Sequence, residues 1–163
     1  AKDHRPNYMR LAREETPIIT TTKTPFVIGQ AQVFAPGKDI TIISTGTMTY
    51  HSLVAAEKLF AQGIDIEVIH CPTIKPLDSV TILKSVMKTG AVITCEEAQI
   101  TGGLGGAVAE LLGEEFPVPM KRIGVRDKYG ESGTPDELFK HFGLTSEHIQ
   151  LSAKELIKRK QQG

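Results

Sequence analysis

Two neighbouring carboxylates, Glu96 and Glu97, stand just ahead of a glycine cluster in the stretch AVITCEEAQITGGLGGAVAELL. Paired acids can serve as general acid and base. They also cap neighbouring helices or pair with basic side chains. The cluster contains Gly102 and Gly103 and falls where a short apolar run, Ala91–Thr94, hands over to Leu104, Val108, Leu111 and Leu112 at helical spacing. Glycines at a helix entrance let an anion or a second backbone approach the unpaired N–H groups and the positive dipole end. GGLGG fits neither the dinucleotide spacing GxGxxG nor the phosphate-loop GxxxxGK[ST], so close helix-on-sheet packing explains the glycines more simply than nucleotide binding does.

Ligands of open α/β sheets bind beyond the carboxyl ends of the strands. The residues expected there are Thr45, Gly46 and Thr47, then His70 and Cys71, then Cys95, Glu96 and Glu97, and finally Arg126 and Asp127. His70, Cys71, Cys95 and a glutamate are zinc-ligand types, but their spacing matches no metal motif, and buried cysteines behave as small hydrophobes. A nucleophilic pair of Cys71 with His70 is rejected, because adjacent strand residues point to opposite faces. STGTMT could receive a phosphate at a helix entrance, or Thr47 or Thr49 could simply cap that helix. Arg10, Arg13, Glu14 and Glu15 read as a solvated linker, although arginine is the residue suited to bidentate phosphate contacts.

These positions need a scaffold, and the pattern from Asp39 onward supplies one: short β-rich runs alternate with amphipathic helical stretches, as in a parallel sheet covered by helices. The strands are ITIIS, IEVIH, AVIT and KRIGV. Leu53, Ala56, Leu59 and Phe60 form one helical stripe, with Gly63 as its stop. Asp78 caps the next helix, where Val80, Leu83, Val86 and Met87 face inward and Gly90 ends the run. Thr134-Pro135-Asp136-Glu137 opens a short helix closed by Gly143, and Thr145 or Ser146 caps a terminal helix. Lys158, Arg159 and Lys160 in its last turns read as solvated. FVIGQAQVFA followed by APGKD and ITIIS looks like a hairpin, which puts one antiparallel edge strand on the sheet. Tyr8–Leu11 is a short strand-like piece without a partner in the same domain, followed by a linker of threonines and prolines.

With 163 residues, one domain is the expectation. Lys plus Arg number 19 and Asp plus Glu number 19, a balance that argues against a nucleic-acid face or a polybasic membrane surface. No apolar run approaches bilayer-spanning length. Two cysteines without CxxC, and a polar start with no signal peptide, favour a reduced, cytoplasmic setting.

Taken in order, AREETPIITT, STGTMTYHSLVAAEKL, TIKPLD, EEAQITGGLGGAVAE and GESGTPDELFKHFGLT give a sequence that resembles the carboxyl-terminal part of transketolases over nearly its whole length. The resemblance implies a three-layer α/β/α sandwich with a five-stranded, mostly parallel sheet and one antiparallel edge strand. It implies that residues 1–24 are the tail of a preceding pyrimidine-binding domain plus a linker, and that residues 25–163 are the transketolase C-terminal domain. Arg13 aligns with the family's arginine that grips the substrate's sugar phosphate, although RLARE stands here where the family has LSRQ-type residues. Thiamine diphosphate and Mg2+ would be bound by other domains, with no cofactor or metal held by this chain. The partners implied are an N-terminal transketolase section or subunit, a second copy in a homodimer, and sugar phosphates. The assembled enzyme would move a two-carbon ketol unit, and the chain alone would be inactive. Deoxyxylulose-phosphate synthase and the beta subunit of 2-oxo acid dehydrogenases share the domain and are the enzymatic alternatives. A non-enzymatic binding module is the third, with a strand-end crevice of Thr45, Gly46, Glu96, Glu97, Gly102 and Gly103 as its site.

Overall fold

The computed structural model describes residue 4, residues 6–12 and residues 15–162. Five strands form one sheet: β1 (Gln32–Ala35), β2 (Ile40–Ser44), β3 (Ile66–His70), β4 (Val92–Gln99) and β5 (Met120–Val125). Five helices accompany them: α1 (Met48–Phe60), α2 (Ser79–Thr89), α3 (Leu104–Glu115), α4 (Pro135–His141) and α5 (Ser146–Gln162). The order across the sheet is β1-β3-β2-β4-β5, parallel throughout except that β1 runs antiparallel to β3.

The two-residue period of the strands explains the layers. Ile40 and Ile42 of β2, Ile66 and Val68 of β3, and Ile93 and Cys95 of β4 join one core with Leu59 of α1 and Ile149, Ala153 and Leu156 of α5. Ile43, Ile69 and Val92 face the opposite core, with Ile82 and Val86 of α2 and Leu104, Val108 and Leu112 of α3. Every residue of β2 is buried, which is why ITIIS shows no exposed polar alternation and its Thr41 and Ser44 hydroxyls are hydrogen-bonded inside. Among the described residues no helix is long and apolar enough to cross a membrane.

Several sequence expectations need correction. The antiparallel edge strand exists, but β1 does not form a hairpin with β2. Both flanks of β2 are taken by parallel neighbours, so the Pro36–Asp39 connection carries the chain past β3 instead. Lys38 and Asp39 donate their N–H groups to the Asp65 carbonyl, the Asp39 carboxylate accepts from the Asp65 N–H, and a Cβ on Gly37 would overlap the backbone of Ile66 and Glu67. Tyr8–Leu11 joins no strand ladder among the described residues.

Phe60, Val80 and Met87, expected inside, are exposed. Small hydroxyl residues take the inner positions: Thr49 and Ser52 on α1, Ser85 and Thr89 on α2. Thr41 of β2 shares hydrogen bonds with Ser85 (3.2 Å) and Thr89 (2.7 Å), so α2 lies close on the sheet with its polar atoms satisfied.

The cap expectations fare better. Asp78 accepts from the Thr81 N–H, Gly90 ends α2 in the left-handed conformation, Thr134 and Glu137 form a reciprocal capping box, and Thr145 Oγ1 accepts from the His148 N–H. Lys160 is not merely solvated. Its Nζ donates to the Thr89 carbonyl at 2.7 Å and the Asp39 carbonyl at 3.2 Å, placing a cation on the carboxyl end of α2.

Candidate functional site at the carboxyl edge of the sheet

The carboxyl ends of β2, β3 and β4 bring most of the candidates to one edge. Thr45 donates its N–H to the Cys95 carbonyl, Gly46 turns the chain with φ 57° and accepts from the Thr49 N–H, and Thr47 occupies the position before α1. Neither threonine caps α1 through its hydroxyl. Thr47 Oγ1 donates to Glu97 Oε2, while Thr49 Oγ1 is 2.9 Å from His70 Nδ1 and also accepts from Ser44 Oγ.

Glu96 and Glu97 point to opposite sides of β4 and are not an acid–base pair. The Glu96 side chain is buried and its carboxylate accepts the first free N–H groups of α3, from Leu104 (2.9 Å) and Gly105 (2.8 Å). The glycine cluster makes that possible. A Cβ on Gly103 would overlap Glu96 Oε2 and lie 2.9 Å from its Cδ; a Cβ on Gly105 would lie 3.1 Å from Oε1. Gly124 of β5 is similarly constrained, with Glu96 Cγ 3.2 Å from its would-be Cβ. Gly102 has φ 76°, which suits glycine, and open space around its Cα. The anion-receptive helix entrance seen in the sequence is therefore filled by the chain's own carboxylate. It is closed to a diphosphate, and among the described residues no three His, Cys, Asp or Glu side chains group to hold a metal. These residues do not fit thiamine diphosphate with its metal.

Glu97 faces the other way, and its partner is the leading segment. Arg10 Nη1 donates to the Glu97 carbonyl at 2.6 Å, and its Nη2 lies 3.6 Å from Glu97 Oε1. Farther along, Thr16–Thr20 form one wall of a cleft of about 320 Å³ whose other wall is Gly46, Thr47, Tyr50 and His70. Burial lowers the pKa of His70 below its ordinary value, so the ring is mostly neutral at pH 7 and serves as a hydrogen-bonding partner rather than a cation. Arg13, the expected phosphate ligand, lies outside the described residues.

The remaining candidates lack reactivity. Burial pushes the Cys71 thiol up to about 11 and Cys95 up to about 12, so both stay protonated and inert as nucleophiles. Arg126 and Asp127 lie beyond β5 on an exposed turn, where Gln99 Oε1 accepts from the Asp127 N–H. What this edge offers is hydroxyls, a neutral imidazole and one charged clamp: groups that position and hydrogen-bond. The sequence reads Arg10 as part of a solvated linker, whereas it contacts Glu97, and it assigns no role to Tyr50 or to the Thr16–Thr20 wall. An arginine 87 positions away from its glutamate leaves no local spacing signal, and only the fold reveals the pair.

Comparison with known proteins agrees with this architecture. The chain is 47% identical over 155 residues to the 6-deoxy-6-sulfo-D-fructose transketolase subunit of Clostridium sp. strain MSTE9, covering 95% of this chain and 48% of that one. It is 43% identical over 134 residues to the 1-deoxy-D-xylulose-5-phosphate synthase of Trichormus variabilis, covering 82% of this chain and 21% of the relative. A solved split-gene transketolase, an inactive β4 tetramer, superposes with a TM-score of 0.84 at 39% identity, covering 88% of this chain and 47% of that one. The chain thus spans about half the length of its transketolase relatives. Residues 29–149 match the family described as transketolase, C-terminal domain, and with the sheet order and capped glycine entrance already in place, the chain belongs to that family.

Proposed function

We propose that this chain is the C-terminal section of a thiamine-diphosphate-dependent transketolase, acting with an N-terminal section that binds the cofactor and Mg2+. The carrying observation is the match, across 95% of the chain, to a transketolase subunit about twice its length. The site chemistry supports the same division of labour. The glycine-flanked entrance of α3 is occupied by Glu96, the two thiols are held protonated, and the polar edge positions rather than reacts. The carbanion chemistry of ketol transfer belongs to the cofactor.

Residues 1–24 are then the end of the preceding domain and its linker. Their exposed Tyr8, Met9, Leu11 and Ile18 are apolar surface for that section to cover. Arg13 is proposed to hold the oxyanion at the far end of the sugar, a charge-assisted contact remote from the reacting carbon. A sulfonate, as in the name of the Clostridium relative, presents the same kind of oxygens as a phosphate. The assembly is proposed to be cytoplasmic and to pair through copies of this domain.

Arg13→Ala in the assembled enzyme tests the site. KM for phosphorylated sugars should rise while KM for the same sugars without phosphate stays put. Equal values for both variants on phosphorylated sugars would remove Arg13 from the site. The likeness to deoxyxylulose-phosphate synthase sustains a second reading, and pyruvate separates the two: the synthase reading requires its consumption, the transketolase reading forbids it.

A further inference from the structure

Beside β1 the domain leaves an apolar surface uncovered among the described residues. Phe26, Val27, Ile28 and Val33 are exposed, Phe26 at 66% and Ile28 at 59%, and so are Ile74 and Val80. The fold brings them together. Gly29 donates its N–H to Thr73 Oγ1 at 2.9 Å and packs on Pro76, where a Cβ would lie 3.0 Å from Cγ. The Ala31 N–H reaches Asp78 Oδ2 at 2.8 Å, and Asp78 caps the helix that carries Val80 in its first turn. Residues 26–33 are thus laid along residues 73–80.

The chemistry of this surface restricts what can cover it. No charged residue occurs between Lys23 and Lys38. β1 ends the sheet, with β3 on one flank and no strand on the other among the described residues. Exposed edges are ordinarily guarded by charge, proline or a bulge. Here Pro25 and Pro36 flank the strand and a bulge breaks its register between Val33 and Ala35, so backbone pairing is guarded while the side chains stay apolar. An uncharged surface has nothing with which to select an oppositely charged partner, and it matches its own copy. Exposed Lys75, next to Ile74, can lay its apolar stem on the patch and keep its ammonium in water. Tyr8, Met9 and Leu11, proposed above to face the N-terminal section, are held elsewhere: Arg10 anchors them at the end of β4, and β2 and β3 separate that strand from β1. Two separate apolar surfaces call for two partners.

We infer that the patch of Phe26, Val27, Ile28, Val33, Ile74 and Val80 is the surface through which two copies of this chain pack about a twofold axis, side chain against side chain rather than by extending the sheet. The inference rests on the pairing of copies proposed above and names the surface that does it. A twofold axis sets the same patch against itself, so each apolar contact is made twice.

Sedimentation of the chain across the micromolar range measures the pairing. The chain should run as an even number of copies. Ile28→Lys and Val33→Lys should each raise the self-association Kd at least about a hundredfold, because like charges then meet and each substitution enters the interface twice. Both positions are exposed, so at concentrations below the wild-type Kd their urea midpoints should match the wild type. Phe60→Lys, on α1 and as exposed as Phe26, should leave the pairing intact.

A chain that stays a single copy throughout the range would overturn the inference. Pairs that persist in both lysine variants would also overturn it, leaving copies to pair, as proposed above, through another surface. Equal dissociation by Phe60→Lys would show a general effect of added charge and remove the patch. If the chain stays single and added N-terminal section slows hydrogen exchange at residues 26–28, the patch belongs to that section and the second copy is the wrong occupant. Ketol transfer by the assembled mixture is read separately: its absence would sink the transketolase reading, while dissociation by Ile28→Lys and Val33→Lys alone would still establish the patch.

Discussion

Replacing Gly103 by alanine probes the most tightly built part of this edge. The backbone there, at φ −103°, is open to any L residue, so conformational strain contributes little. The cost comes from a collision: the new methyl would overlap Glu96 Oε2 and crowd Cδ at 2.9 Å, with the Gln99 carbonyl at 3.1 Å closing the other side. Glu96 is buried and has to vacate its place, surrendering its hydrogen bonds from Leu104 and Gly105. Bonds to a charged partner contribute about 1.5–3 kcal/mol each, so losing both should cost about 3–6 kcal/mol. For a chain of this size that is a fall of roughly 6–24 °C in Tm, and a large part of a typical domain's stability.

Urea denaturation of Gly103→Ala, Glu96→Ala and the double variant measures it. The double variant should be little less stable than Glu96→Ala alone, since without the carboxylate only the Gln99 carbonyl at 3.1 Å has to give way. A cost below about 1 kcal/mol for Gly103→Ala, or strict additivity in the cycle, would refute the reasoning, because either would mean that Glu96 does not need the room the glycine leaves.

Three further outcomes follow from the same structure. Cys71 and Cys95, with thiol pKa values raised by burial to about 11 and about 12, should resist alkylation at pH 8 until the protein is unfolded; labelling of the native chain within minutes would contradict that burial. Glu147 is held down to about 2 from 4.5 by its hydrogen bond from Lys58, so its contribution is present above pH 4.5 and fades as pH falls toward 2. Because the pair is largely exposed, Glu147→Gln should cost under about 1 kcal/mol at pH 7 and less still near pH 3, and a pH-independent difference in urea midpoints would count against the pair. Lys160→Ala should destabilise by about 1 kcal/mol through loss of its bonds to Thr89 and Asp39, whereas Lys158→Ala and Arg159→Ala should change urea midpoints little; equal effects at all three would remove the cap.

The parts of the fold that were legible in the sequence are those set by local chemistry. ITIIS and IEVIH announce buried parallel strands, and Asp78, Gly90 and the Thr134–Glu137 box mark helix ends, because each depends on residues within a turn of itself. What went unread depends on distant packing. Val80 and Met87 follow a helical stripe, yet α2 turns Ser85 and Thr89 inward because Thr41 on β2 offers them hydrogen bonds. β1 follows a turn signal into β2, yet its partner is set by the neighbours β2 already has.

The candidate site divides the same way. Helix capping was one of the roles open to Glu96 from its sequence alone, and the structure selects it. The Arg10–Glu97 clamp and the cleft against Thr16–Thr20 join residues far apart in the chain, and no spacing rule reaches that far.

As proposed above, this chain completes a ketol transferase without performing the chemistry itself. The most direct measurement is ketol transfer to ribose 5-phosphate, from xylulose 5-phosphate and from 6-deoxy-6-sulfo-D-fructose as alternative donors, with thiamine diphosphate and Mg2+ present. It is run on this chain, on its N-terminal section, and on the two together. Transfer by the mixture alone, with pyruvate left untouched, is the predicted result. An assembled mixture that is inert toward both donors, or that consumes pyruvate, or a chain active by itself, would contradict it.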